Sequence, residues 1–453
     1  MYNYLRGYFL QWNNTLSSFY RIVHSATLQP RCSQLHTVGC GAVRDKLFRE
    51  YIFESLYAKD KGYFMDASKG PPLKETTSPI PFQELSGPEQ YYSLVAQRYA
   101  NHPNSWSTPV ELFQPWYGYA IARCIQHIVE QSFDRHQLVK EWHIIEVGGG
   151  NGTLARCILQ YAKQYYGAPL CNALKYHIVE VSPLFVERQR KRLLNHPSVF
   201  FHSMSILDWP ETISSPCIVI FCEVLDNLPH DRVEWDDETK TWYECRIRET
   251  PEKNTSTDNN NNAIVHFPLQ DKWIISTMQD WNILSENGQI AAPLHIFSTP
   301  YWLYYLQNMV DRLLSSNPCT VLYVPTVAHQ VLTTIRRYFP QSHLLVADFD
   351  FLPQATRGFF APVVQNGTKT FSSIEEAPKT TCDILFPVYF PGLSRAIQRL
   401  WNPNYIQIWK QSKFLKTYAD SKHTRTKSGF NPMLSDFTNT RILFTRNYTS
   451  HNK

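Results

Sequence analysis

The chain has 453 residues, of which 43% are hydrophobic and 14% aromatic, and carries a formal net charge of +5. That length exceeds what one core usually fills, so a large domain with additions, or two domains, is expected. No apolar run approaches the ~18 to 20 residues that span a bilayer, which excludes a transmembrane helix.

The positive charge is confined to one end. Residues 1–44 hold Arg6, Arg21, Arg31 and Arg44 with no lysine and no acid; without those four, the remaining 40 basic residues face 39 acidic ones. A body so balanced carries no basic surface for nucleic acid. An acid-free leader rich in Arg, Ser and aromatics has the composition of a mitochondrial transit peptide, so the mature chain is expected in the matrix. The ten cysteines are scattered, without a C-x-x-C pair or clustering with histidine. Neither a disulfide framework nor a metal site is therefore expected.

After the leader, residues 45–135 read as helices and loops. Leu47 to Tyr57 (LFREYIFESLY) has helical apolar spacing, and a short helix is expected around Tyr91 to Tyr99 within a Pro-, Ser- and Gly-rich stretch. Thr108-Pro109-Val110-Glu111 has a capping-box spacing with proline at the first helical position. A helical stripe runs on from there to Ile128, and Pro115 must bend its first turns.

From Trp142 the rhythm changes. WHIIEV, YHIVEV, VFFHSM and CIVIFCEV alternate with the helical stretches LARCILQYAKQYY and PLFVERQRKRLL. Strands alternating with helices of this length argue for a Rossmann-like α/β core with a parallel sheet, whose cofactor-binding half spans residues 136–233. Runs that are apolar throughout suit strands covered on both faces. Residues 234–320 form an insertion: Asp236 to Tyr243 and Ile264 to Met278 look β-rich, and the polar run at Asn259 to Asn262 reads as a disordered loop. HLLVAD at 343–348 resumes the buried-strand pattern, so residues 321–370 complete the sheet. Residues 371–453 are expected to be mixed strands and irregular structure.

The chemistry concentrates at strand ends. Glu146-Val147-Gly148-Gly149-Gly150-Asn151-Gly152 joins a strand to a helix, where glycines let backbone approach a ligand closely. Its spacing differs from G-x-G-x-x-G, because Thr153 stands where the third glycine would be. A nucleoside without a pyrophosphate fits better, its sulfonium-bearing methionine tail over Gly148, Gly150 and Gly152. Glu180 ends the next strand, 34 residues after Glu146, where a carboxylate meets ribose hydroxyls. Asp208 follows the third strand and is a candidate for an adenine amino group, or a turn-opening acid. Glu223 and Asp226 follow the fourth strand and face the site or its rim. They suit a cationic nucleophile, and Asp226 alternatively favours a helix N-terminus.

The stretches EVGGGNGTLA, HIVEVSPLFVERQRKRL and EVLDNLP, with GYF and STPVE upstream, resemble the MidA family of class I methyltransferases over roughly residues 47–365. That family includes the mitochondrial complex I assembly-factor enzyme. The resemblance implies S-adenosyl-L-methionine as cofactor, a protein arginine as acceptor, symmetric dimethylarginine as product, and a complex I subunit as partner. On it, Gly148, Gly150 and Gly152 match the cofactor loop, Glu180 the ribose acid, and Glu223 and Asp226 the N-E-x-x-D-x-x-P motif. The departures are Gly149 for the family's proline, Cys222 for its asparagine, Pro115 inside the STPVE helix, and Asp348-Phe349-Asp350 for Asp-Tyr-Gly. They leave two alternatives open: an inactive scaffold, and a paralogue with another substrate.

Overall fold

The structure is a computed structural model and describes residues 45–66, 68, 73, 78–100, 107–132, 140–249, 262–284, 320–353, 355–367 and 369–446. The leader and Asn259 to Asn261 lie outside the described residues, whereas Asn262 donates from Nδ2 to the Tyr51 hydroxyl at 3.1 Å.

Seven strands form the central sheet. In chain order they are β1 (Trp142–Val147), β2 (Leu174–Glu180), β3 (Val199–Ser203), β4 (Cys217–Cys222), β5 (Ser342–Phe349), β6 (Tyr405–Lys410) and β7 (Thr440–Arg446). Their order across the sheet is β3-β2-β1-β4-β5-β7-β6. The first five are parallel, and β7 runs antiparallel to both β5 and β6. Chain direction across the sheet reverses between β1 and β4, which opens a crevice at their carboxyl ends.

Both faces of the central strands β1, β2, β4 and β5 are buried, which explains their apolar runs. Ile144, Ile178, Ile218 and Ile220 pack on one face with Tyr117, Ile121, Leu154 and Ile158. Ile145, Val147, Val219 and Phe221 pack on the other with Val331, Leu332 and Ile335. Alternate residues of one strand thus supply two cores, as the period of a strand requires.

Helices α1 (Phe48–Tyr57), α2 (Trp116–Ser132), α3 (Thr153–Tyr165), α4 (Pro183–Arg192) and α5 (Thr326–Tyr338) position the site. Pro115 ends a separate four-residue helix, Pro109–Leu112, before α2 begins, so the stripe read as one helix is two. Thr108 caps the short piece, its Oγ1 accepting the Glu111 amide at 3.3 Å.

A second, antiparallel sheet contains Lys46–Leu47, Asp231–Asp236, Thr241–Arg248, Ala263–Pro268 and Thr320–Val324. The stretch Ile264 to Met278, read as β-rich, is a strand only to Pro268. Asp271 Oδ1 accepts the Trp273 and Ile274 amides, each at 3.0 Å, and this cap starts a helix over Lys272–Asp280. Asp271 also ties α1 down: Arg49 Nη2 meets its Oδ2 at 2.6 Å, while Arg49 Nη1 meets Asp231 Oδ2 at 2.6 Å. A small third sheet pairs Val363–Asn366 with Lys369–Phe371 and Asp383–Leu385.

Candidate active site

The loop after β1 is shaped by backbone that side chains resist. Gly148, Gly150 and Gly152 have φ of 67°, 50° and 74°, values that glycine adopts without penalty. A Cβ on Gly150 would lie 2.8 Å from Leu73 Cδ2, and one on Gly148 would lie 2.8 Å from Val224 Cγ2. The loop therefore forms one wall of a cavity of about 500 Å³. Gly152 stands behind that wall, where it starts α3.

Glu146 and Glu180 both line the cavity and both are buried. Glu146 Oε2 accepts the Tyr176 hydroxyl at 2.8 Å, and burial pushes its carboxyl up to about 8. Glu180 Oε2 accepts the Gly150 amide at 3.2 Å and its Oε1 the Ser182 amide at 3.0 Å. Burial raises its carboxyl to about 7 against those bonds. A desolvated carboxylate at a strand end is well suited to receive hydroxyl donors. Asp208 is placed differently. The turn Ile206–Asp208 sends Ile206 inward and leaves Asp208 exposed, outside the cavity wall, which is formed there by Met204, Ser205, Ile206 and Leu207.

At the end of β4 the two remaining candidates separate. Glu223 lines the cavity, with φ of 54°, a left-handed conformation uncommon for a residue with a Cβ. Burial, and then the neighbouring Asp348 charge, raise its carboxyl well above the usual range. Asp226 lies behind the wall, 2% exposed, and its Oδ1 has no hydrogen-bond partner among the described residues. It stands in the first turn of the three-residue helix Leu225–Asn227, in line with the alternative reading, but its side chain does not cap the turn. That work falls to Asp348, at the end of β5, whose Oδ2 accepts the amides of Val224, Leu225 and Asp226 at 3.3, 2.9 and 3.4 Å. From below, Asn227 Nδ2 donates to Asp383 Oδ1 at 3.0 Å, and the Phe386 amide donates to the Asp226 carbonyl at 2.7 Å. Glu223, partly buried, and the buried Asp226, Asp348 and Asp383 thus form an acidic group with no ion-pair partner among the described residues. Asp348 and Asp383 are each raised to about 7, chiefly by burial. Tyr57, from α1, closes this end, its hydroxyl donating to the Asn227 carbonyl at 3.2 Å.

Asp383 escapes sequence reading, while Glu111 and Asp348 enter it only as members of the STPVE and Asp348-Phe349-Asp350 segments. All three come from segments remote from the glycine loop, and only the topology brings them near it. Spacing also hid a grouping elsewhere: Glu234, Cys245 and His266 bring ligating atoms within 4.8 Å of one another on the second sheet. There Arg232 Nε stands 2.9 Å from Glu234 Oε1, and His266 Nε2 stands 3.0 Å from Glu234 Oε2. The guanidinium already neutralises that carboxylate, so the trio reads as an ion-pair network.

The sheet order, the glycine turn after β1 and the acid ending β2 together define a class I S-adenosylmethionine-dependent methyltransferase fold. The comparisons agree. The chain belongs to a family of S-adenosyl-L-methionine-dependent methyltransferases, whose profile matches residues 120–405. No curated protein matches. Among solved structures, a COG1565 superfamily member from Burkholderia thailandensis, bound to S-adenosyl-homocysteine, aligns with a TM-score of 0.55 at 14% identity, covering 89% of each chain. A second COG1565 superfamily structure from that organism aligns at 0.53 and 14% identity, covering 89% of this chain and 88% of the other. The cofactor is S-adenosyl-L-methionine.

Proposed function

We propose that the chain methylates a protein arginine, giving symmetric dimethylarginine, in the mitochondrial matrix, with a subunit of respiratory complex I as substrate. The observation that carries this reading is the acidic group around Glu223: buried carboxylates beside the cofactor cavity, with no described cation, suit an acceptor that brings its own positive charge. The resemblance of the glycine-loop and EVLDNLP segments to the MidA family supports the product and the partner, and the acid-free leader supports the compartment.

The residues present fit the cofactor. Gly148 and Gly150 let the loop backbone turn left-handed in the cavity wall, close to where its methionyl tail would run, Glu180 would hold the ribose hydroxyls, and Ile206 and Leu207 give an apolar wall for the adenine. Glu146, which also lines the cavity, holds Tyr176 and supports the strand end. Bound S-adenosylmethionine supplies an electrophilic methyl group on a sulfonium. An arginine guanidinium is protonated in water and offers no lone pair. Glu223 receives one of its N–H bonds, and the guanidinium charge offsets the burial that otherwise keeps this carboxyl protonated. As the N–CH3 bond forms and the S–CH3 bond breaks, Glu223 takes the proton the nitrogen must lose. Asp226 contributes field from behind, without touching the acceptor.

Glu223→Gln keeps volume and removes the base, so the rate should fall ~100- to 10,000-fold while S-adenosylhomocysteine affinity is unchanged. The assay is methyl incorporation into mitochondrial extract, with dimethylarginine identified by mass spectrometry. Equal rates for both proteins would remove the catalytic role. A wild type that binds cofactor but transfers nothing would favour the scaffold reading. Cys222, in the cavity wall where the MidA family has asparagine, favours as second reading a paralogue with another acceptor; methylation in the extract at a residue other than arginine would establish it.

A further inference from the structure

Helix α5 forms one bank of the cavity. At its start the Val327 amide donates to the Pro229 carbonyl at 3.4 Å, in the loop after β4. At its end the Tyr338 carbonyl accepts the Ile213 amide at 2.9 Å, beyond the Ile206–Asp208 turn. The helix thus runs from one strand-end loop to the other. Val327, Gln330 and Val331, spaced i, i+3 and i+4, share the face that lines the cavity. Val331 and Ile206 belong to one buried cluster, which sets this face beside the segment Met204 to Leu207. Other polar side chains on this side are engaged. Ser205 Oγ accepts the Leu207 amide at 3.2 Å, and Asn227 Nδ2 donates to Asp383 Oδ1 at 3.0 Å and to the Ile384 carbonyl at 3.1 Å. Gln330 is half-buried, and its side-chain amide makes no hydrogen bond with the described residues. Any group bound against this wall takes that amide out of water, which is costly unless the group supplies partners.

The cofactor's base has them. The Met204 amide donates to the Glu180 carbonyl at 3.1 Å, so the segment after β3 begins beside the ribose acid. With the ribose at Glu180, the base lies against Ile206 and Leu207 and turns its edge toward α5. Adenine carries an amino donor next to a ring-nitrogen acceptor, and a carboxamide carries the matching acceptor and donor side by side. We infer that Gln330 reads the amino edge of the cofactor's adenine, its Oε1 accepting from the 6-amino group and its Nε2 donating to the adjacent ring nitrogen. This rests on the cofactor placement proposed above, and supplies the base recognition that the exposed Asp208 does not.

The test removes one amino group. S-Adenosylhomocysteine and its 6-deamino analogue, with hydrogen in place of the amino group, are otherwise the same ligand. Calorimetry on the full chain should show the wild type preferring S-adenosylhomocysteine roughly 5- to 150-fold. Gln330→Leu keeps the side-chain volume without the amide. It should weaken S-adenosylhomocysteine by a similar factor, and the analogue less, bringing the two ligands level. Equal affinities in the wild type, an equal loss of both ligands in the variant, or a variant that keeps the wild-type preference would each overturn the inference. Should Gln330→Leu not fold, Gln330→Ala gives the same comparison with the same outcomes. Glu180→Ala separates the inference from the placement beneath it. Weaker binding by Glu180→Ala with full binding by Gln330→Leu removes Gln330 alone, whereas full binding by both removes the placement as well.

Discussion

Asp348 offers the sharpest test of how the site is held. One of its oxygens receives three successive amides, the shortest from Leu225 at 2.9 Å, and the other receives the Phe349 amide at 2.8 Å. The residue just before that run, Glu223, sits at φ of 54°, a conformation costing a side-chain-bearing residue roughly 1 to 2 kcal/mol. Hydrogen bonds to a charged acceptor contribute about 1.5 to 3 kcal/mol, enough to offset that strain. Asp348→Asn keeps the shape, but its amide cannot accept on both sides, so either Phe349 or the 224–226 run loses its acceptor. Hydrogen exchange of the amides at 224–226 should then quicken roughly 10- to 150-fold, at 1.4 kcal/mol per decade. Methyl transfer at pH 8.5 should fall about 10- to 100-fold, because small displacements of a positioned group are costly. At pH 6 the two proteins should converge. Burial raises Asp348 to about 7, so the wild-type group is itself protonated there and resembles the amide. Wild-type exchange over 221–228 and wild-type turnover at pH 8.5 in the variant would refute the argument.

The other predictions concern binding, pH and import. Glu180→Ala removes an acceptor at the ribose position and should weaken S-adenosylhomocysteine about tenfold to a hundredfold; undiminished calorimetric binding by the folded variant would move the site elsewhere. Stability of the unliganded chain should fall as pH rises from 6.5 to 8.5. Glu146, Glu180 and Asp383 have folded values raised to about 8, 7 and 7, so their contribution is present at low pH and is lost as pH rises through those values. His177, His230 and His343 are lowered by burial to about 3, 3 and 4, so theirs is present above the unfolded value of 6.5 and is lost as pH falls below it. A thermal midpoint that climbs from pH 6.5 to 8.5 would contradict this. A reporter carrying residues 1–44 should reach the matrix, and its retention in the cytosol would exclude the leader from import.

What the sequence disclosed, and what it hid, follow from the distance over which each signal acts. The glycine loop was legible because its cause is local: an apolar run buried on both faces, then glycines where the backbone turns left-handed. Glu180 was legible because strand and helix lengths place it at the next carboxyl end. Asp208 had the same kind of warrant, but a three-residue helical turn decides which of Ile206 and Asp208 faces inward, and burial favours the isoleucine. Asp226 shows the same limit. Spacing put it three residues from Glu223, yet its surroundings are set by Asp348 and Asp383, more than 100 residues away in the chain.

The carboxyl-terminal region shows why long-range pairing defeats pattern reading even in a regular sheet. YIQIWK is short and mixed in polarity, because β6 is the sheet's edge and exposes Ile408 and Lys410, whereas TRILFTR is polar at both ends although β7 is buried. Nothing in either segment specifies that β7 inserts between β5 and β6. Once there, it reaches the site from the far side. Thr440 pairs with Phe349, next to Asp348. Arg441 Nε donates to Asp350 Oδ2, and Asn439 Nδ2 donates to the Phe351 carbonyl at 2.7 Å. Gln411, following β6, accepts the hydroxyl of Tyr117 at 3.1 Å. Asp348 can hold the Glu223 loop only if the end of β5 is itself held, and the described contacts that hold it include these, from residues 439–441. A segment that resembled no motif is therefore part of what keeps the acidic group in register with the cofactor loop.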